Sequence, residues 1–165
     1  MTREIIDPDG DRLIRCGDIE FLLSPKAVSQ AAPQLSGDSI QRLTSEDPRT
    51  IRIFLNVAHG RSDEIPSVID PDDMISLVDF VEKYECNSAI TPHAQQWLQM
   101  DLEGHAQEDL WKVLRLACAI GSRHHSERIC HQLIVSHLGP FHSWAFAVNN
   151  FGSMPQETLG MCNHY

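Results

Sequence analysis

The sequence predicts an α+β fold that is mostly helical, and three observations predict it. Near the N-terminus two short apolar runs flank Gly17-Asp18, the signature of a tight hairpin. Three times a capping residue stands directly before proline, at Asp47-Pro48, Asp70-Pro71 and Thr91-Pro92. The side-chain oxygen of such a cap accepts a free backbone N–H, and proline at the first helical position lacks only a donor that would go unpaired. Beyond Gly104, two further stretches carry apolar residues at helical spacing.

In chain order, Asp7-Pro8-Asp9-Gly10 is a turn, because Pro presets φ and Gly accepts a positive one. Leu13-Ile14-Arg15-Cys16 and Ile19-Glu20-Phe21-Leu22-Leu23 form the hairpin, with the alternating Ile19, Phe21 and Leu23 toward the core. Ser24-Pro25 starts a short helix through Ala31. Residues 34–46 are polar and weakly patterned and read as a loop. Asp47-Pro48 opens a helix with Ile51, Phe54, Leu55 and Ala58 on one face, ending at Gly60. A polar loop over 61–69 leads to Asp70-Pro71, where Asp72 and Asp73 sit at the positive end of the helix dipole. Met74, Leu77, Val78 and Val81 supply its buried stripe. Thr91-Pro92 starts the next helix. Leu110, Val113, Leu114 and Ala117 mark one that ends at Gly121, and Ser126 caps another through Ile129, Leu133 and Ile134 to Gly139-Pro140. A weaker apolar patch covers 144–148, and 155–159 has the pattern of one more helix start.

The chain has 165 residues, enough for one domain that buries about 70% of its unfolded surface. Its formal charge of −10 argues against nucleic acid and anionic membranes, both of which reward basic patches. No apolar stretch approaches the roughly 20 residues of a membrane span, and the N-terminus is not signal-like. The five cysteines are odd in number and widely spaced, which fits reduced thiols in an intracellular protein of cytoplasm or nucleus.

Asp7, Asp9 and Asp11 alternate as in a calcium loop, but the glycine is misplaced and Asp18 stands where a bidentate Glu is needed, so a solvated turn is favoured. His124, His125, Cys130, His131 and His137 crowd one segment, yet their spacings do not close a metal site. No nucleophile elbow, zinc-helix or phosphate-loop motif occurs. Trp97, Trp111 and Trp144 read as core or interface anchors rather than a base-stacking platform. The chain is therefore read as no enzyme, with no catalytic, cofactor-binding or metal residue and no cofactor. The rival reading is a small helical enzyme or metal-binding protein using the His-rich segment 124–142.

The order of motifs resembles a BTB/POZ domain, and in detail the short BTB proteins of filamentous fungi. Asp7-Pro-Asp-Gly-Asp11, Leu13-Ile14-Arg15-Cys16-Gly17, Phe21-Leu-Leu-Ser-Pro-Lys26, Ala31-Ala32-Pro33, Glu46-Asp47-Pro48 with Ile53-Phe54-Leu55-Asn56-Val57-Ala58-His59-Gly60-Arg61, Lys83-Tyr84-Glu85-Cys86, and Pro92-His93-Ala94-Gln95-Gln96-Trp97-Leu98 carry the likeness. It covers residues 7–102, a BTB/POZ-like helical cluster with a small N-terminal sheet, and leaves 103–165 as a C-terminal helical extension. The region 34–46 is shorter than in the family, which places a helix and a strand there. The resemblance implies a protein–protein interaction module of adaptor type, with weak or absent self-association and a cullin scaffold for ubiquitin transfer as a partner. It implies partner contacts at the end of the Asp47-Pro48 helix, the loop after it and the Thr91-Pro92 helix, near Arg52, Asn56, His59, Arg61, Asp63, Glu64, Gln95 and Gln99. On the first of these helices the face opposite Ile51, Phe54 and Leu55 reads as exposed. Ser62 stands where cullin-binding members carry a hydrophobic residue two before a Glu.

Overall fold

Gly17 sits at φ +56°, the left-handed conformation that lets the chain reverse in two residues, and the strands on either side pair antiparallel. These are β2 (Arg12–Cys16) and β3 (Ile19–Leu23). The computed structural model describes residues 1–35, 37 and 40–136, with only the backbone at 40 and 41. Ile14, Cys16, Phe21 and Leu23 are fully buried on one face of the hairpin. Gly10 closes the preceding turn: a Cβ there would lie 2.3 Å from the Leu23 carbonyl, so only glycine fits.

Two strands lie outside the sequence expectation. β1 (Thr2–Ile5) runs parallel to β3, and β4 (Ile40–Arg42) runs parallel to β2, giving a four-stranded sheet in the order β1-β3-β2-β4. The loop expected over 34–46 is thus corrected. Its start is a 3-10 turn, Pro33–Leu35, that buries Leu35, and its middle is β4. The N–H of Leu43 donates to the Arg15 carbonyl at 2.8 Å, ending the strand. Neither short strand has enough residues to show an alternation; each forms because the hairpin leaves an unpaired row of backbone donors and acceptors beside it.

α1 (Pro25–Ala31) follows Ser24 as expected, although the Ser24 hydroxyl makes no capping bond. α2 (Pro48–Ala58) opens on a true cap, Asp47 accepting the Thr50 N–H at 2.9 Å. α3 (Pro71–Lys83) buries Met74, Leu77, Val78 and Val81, the stripe its spacing predicts. α4 (Asn87–Trp97) begins a turn before Thr91-Pro92, which corrects the expected start and leaves Pro92 inside the helix. α5 (Gln107–Ala119) buries Leu110, Val113, Leu114 and Ala117. α6 (Arg123–Ser136) also begins earlier than expected, and Ser126 lies within it, its hydroxyl bonded to the Ser122 carbonyl. The stop at Gly139-Pro140, Trp144 with the 144–148 patch, and the 155–159 pattern lie outside the described residues.

The chain divides into two compact units. The first comprises Met1–Ser67 and Ser76–His93 and contains the sheet, α1 and α2, with the Phe54 and Phe80 rings stacked at a tilt 5.0 Å apart. The second comprises Val68–Ile75 and the described part of Ala94–Tyr165, in which α5 packs on α6. There Arg128 donates to the carbonyls of Leu98 and Met100, closing the C-terminal end of α4. No described helix is long and apolar enough to cross a membrane.

Candidate functional site

α2 buries Thr50, Ile51, Ile53, Phe54, Leu55 and Asn56, so burial extends well around its circumference. Polar residues on such a helix need partners inside the fold. Arg52 forms a two-point ion pair with Glu4 on β1, Nε to Oε2 at 2.7 Å and Nη2 to Oε1 at 2.5 Å. Asn56 is only 3% exposed; its amide reaches the Glu64 carbonyl at 3.5 Å and its oxygen accepts from Arg61 Nη1 at 3.3 Å. Arg61 also donates to the Ile5 carbonyl at 3.3 Å and lies 3.6 Å from the Glu64 carboxylate. His59 is held at both ring nitrogens. Its Nδ1–H donates to the Leu55 carbonyl at 2.8 Å, which leaves Nε2 to accept the Ser24 N–H at 3.1 Å.

The expectation of an exposed partner face on α2 is corrected here. Arg52, Asn56 and His59 fall on one helical stripe, but that stripe ties α2 to β1, to the start of α1 and to the turn that follows it. The 3-10 turn Ser62–Glu64 does expose Ser62, Asp63 and Glu64. Gln95 and Gln99 are exposed as well, with Gln99 Nε2 3.4 Å from His125 Nε2, but they belong to the second unit.

The charged side chains elsewhere are organised as internal ties. Hydrogen bonds from Arg52 hold Glu4 below its ordinary pKa, and those from Arg3 and Arg15 do the same for Glu20. At Glu46 burial opposes the charge, but hydrogen bonds from Lys83 and Ser45 outweigh it and the pKa is lowered. In the second unit Lys112 meets Asp72 at 2.6 Å, Asp109 at 3.4 Å and Glu108 at 3.5 Å, and the Asp72 hydrogen bond raises its pKa. Burial raises the Cys16 thiol and pushes Cys86 up to about 12, so neither is a thiolate at neutral pH. His125 is pushed down, first by burial and then by the Arg128 and His124 charges.

Among the described residues no three His, Cys, Asp or Glu side chains stand together to hold a metal ion; His137 is outside them. In the Asp7-x-Asp9 segment the Asp9 N–H donates to the Asp7 carboxylate at 3.0 Å, a turn bond. Trp97 and Trp111 are 3% and 1% exposed, as core anchors are; Trp144 lies outside the described residues. The surface that sequence reasoning missed is the outer edge of β1, where Met1 and Ile5 are exposed at 78% and 54%. The one signal for it in the sequence is the adjacent pair Ile5-Ile6, of which an extended chain can turn only one toward the core; Ile6 is buried and Ile5 is not. No family model and no curated protein matches the chain.

Proposed function

We propose that the chain is a non-catalytic protein–protein interaction module of adaptor type, as its resemblance to BTB/POZ domains implies. The observation that carries this reading is the turn Ser62–Glu64. Its side chains are exposed while the buried Asn56 amide holds the Glu64 carbonyl from behind and the Glu64 N–H donates to the Arg61 carbonyl at 2.9 Å. A surface ordered before it binds loses little conformational entropy on binding. The partner in this reading is a protein in a reducing intracellular compartment, since the −10 charge disfavours nucleic acid and anionic membranes. Its more specific form is recruitment of a cullin-type ubiquitin ligase, with self-association weak or absent.

The test is a quantitative pull-down with the full chain as bait, comparing wild type with Asp63→Lys/Glu64→Gln, in which position 64, beside Arg61, takes no like charge. Both residues are exposed, so the variant should melt within about half a kcal/mol of wild type. A defined set of proteins captured by wild type and lost from the variant is the expected result, and a cullin among them supports the specific form. Identical capture by both would overturn the reading. Variants at Asn56 or Arg61 do not serve, because each removes an internal tie.

A further inference from the structure

In a parallel ladder alternate residues turn their backbone groups to opposite sides. The N–H of Thr2 donates to Asp18 at 2.8 Å and that of Ile6 to Leu22 at 2.9 Å, so the even-numbered residues of β1 face β3. Arg3 and Ile5 therefore turn their N–H and C=O groups to the open edge. Arg61 takes the Ile5 carbonyl, and no described strand pairs with the rest of that edge.

The register arranges the outer face of the sheet in two cross-strand rows. Arg3, Glu20, Arg15 and Arg42 form one, with three arginines to a single carboxylate. Glu20 is already fully engaged, one oxygen on Arg3 at 3.0 Å and the other on Arg15 at 2.6 Å. Arg3 still has 56% of its side chain exposed at the end of the row. Ile5, Leu22 and Leu13 form the second row, which is apolar and ends on the exposed Ile5.

We propose that the open edge of β1 takes an extended segment of a partner protein, in which a carboxylate and, two residues along, an apolar side chain share one face. A strand added at this edge sets its residue opposite Arg3 into the basic row and its residue opposite Ile5 into the apolar one. Main-chain bonds supply affinity, and the two rows supply selectivity. A second copy of this chain fits poorly, because β1 against β1 opposes Arg3 to Arg3 or to Ile5. Nucleic acid would leave the apolar row unmatched.

The proposal rests on the adaptor reading, and the probe separates the two. The probe is a fluorescein-labelled peptide, Glu-Thr-Leu-Thr-Glu-Thr-Leu, with its Lys-for-Glu counterpart as control, read by anisotropy against the full chain. The Glu peptide should bind about tenfold or more tightly than the Lys peptide, with the difference shrinking in high salt. Ile5→Pro removes an outward donor without touching the β1–β3 ladder, a position where an edge strand tolerates proline. It should weaken binding about tenfold or more at unchanged circular dichroism. Arg3→Leu should abolish the preference between the peptides, and it decides the matter if Ile5→Pro loosens β1. Equal binding of both peptides, saturable binding of neither, or full binding by folded Ile5→Pro would overturn the proposal. So would a concentration-dependent dimer dissolved by Ile5→Pro, which would assign the edge to a second copy. If those results coincide with intact Asp63- and Glu64-dependent capture, the adaptor reading survives and only this edge is misassigned.

Discussion

At the start of α2 the Asp47 carboxylate accepts the Thr50 N–H at 2.9 Å, whereas in α4 the Thr91 hydroxyl turns back to the Asn87 carbonyl at 3.1 Å. Both residues precede a proline, and both prolines lie in helices, but Pro48 is the first residue of its helix and Pro92 the sixth. The difference lies upstream. Counting back from Ala94, the same helical face carries Ile90 and Cys86, which are 0% and 1% exposed. Counting back from Ile51 in the same steps meets the exposed Asp47 and then Leu43, which is buried but has its N–H committed to the Arg15 carbonyl. Burial of Ile90 and Cys86 draws α4 back by a turn and offsets an interior proline, whereas Leu43 is held at the end of the sheet and does not draw α2 past Asp47. A cap followed by proline permits a helix start, and the buried stripe decides whether the start is used. α6 repeats the lesson, since Ser126 is its fourth residue and Ser122, bonded to His125 Nδ1 at 2.7 Å, precedes its first.

The strongest way to break this comparison is Ile90→Ala. If Ile90 anchors the first turn of α4, truncation should cost about 2–5 kcal/mol in urea unfolding. A loss below about half a kcal/mol would return the helix start to Thr91.

The prolines come next, because they should respond with opposite sign. Pro92→Ala restores a donor to the α4 ladder, recovering much of the roughly 3 kcal/mol that an interior proline costs, less about 0.4–1 for a freer unfolded chain. A net gain of about 2 kcal/mol is expected, while Pro48→Ala should lose about 0.4–1. The caps sharpen the same contrast: Asp47→Ala should cost about 1 kcal/mol and Thr91→Ala less than about half of that. Melting curves of the four variants check all of these, and matching signs for the two prolines would refute the distinction.

The smallest effect concerns the start of α6. A histidine whose pKa is lower in the folded state than unfolded binds fewer protons when folded, so its stabilisation is complete above the unfolded value of about 6.5. It is lost as pH falls from there through the depressed folded value. Wild type should therefore melt lower at pH 5.5 than at pH 8 by more than His125→Gln does. Glu4, Glu20 and Glu46 act lower on the scale, their stabilisation being complete above about pH 4.5 and lost as pH falls through their depressed values. An equal pH slope in wild type and His125→Gln would remove His125 from this account.

The candidate site was legible only in part. Asp63 and Glu64 read as exposed from a polar run, and they are. Arg52, His59 and Arg61 read the same way, yet each has a partner far along the chain: Glu4 is 48 residues from Arg52, Ser24 is 35 from His59, and Ile5 is 56 from Arg61, while Asn56 turns inward to the turn just after its helix. No local pattern shows whether a polar side chain faces water or a distant carbonyl. The β1 edge was harder still, because a four-residue polar strand carries no alternation of its own.

The amino-acid sequence by itself determined the α+β class, the hairpin at Gly17, and the buried stripes of α2, α3 and α5. Those depend on neighbours within a few residues, through the 3.6-residue period and the conformations open to glycine and proline. Tertiary structure alone decided where α4 and α6 begin, that 34–46 contributes β4, and that the polar stripe of α2 is an inward tie. Each of these outcomes depends on which distant backbone or side chain offers a partner, and only the folded chain brings those groups within hydrogen-bonding distance.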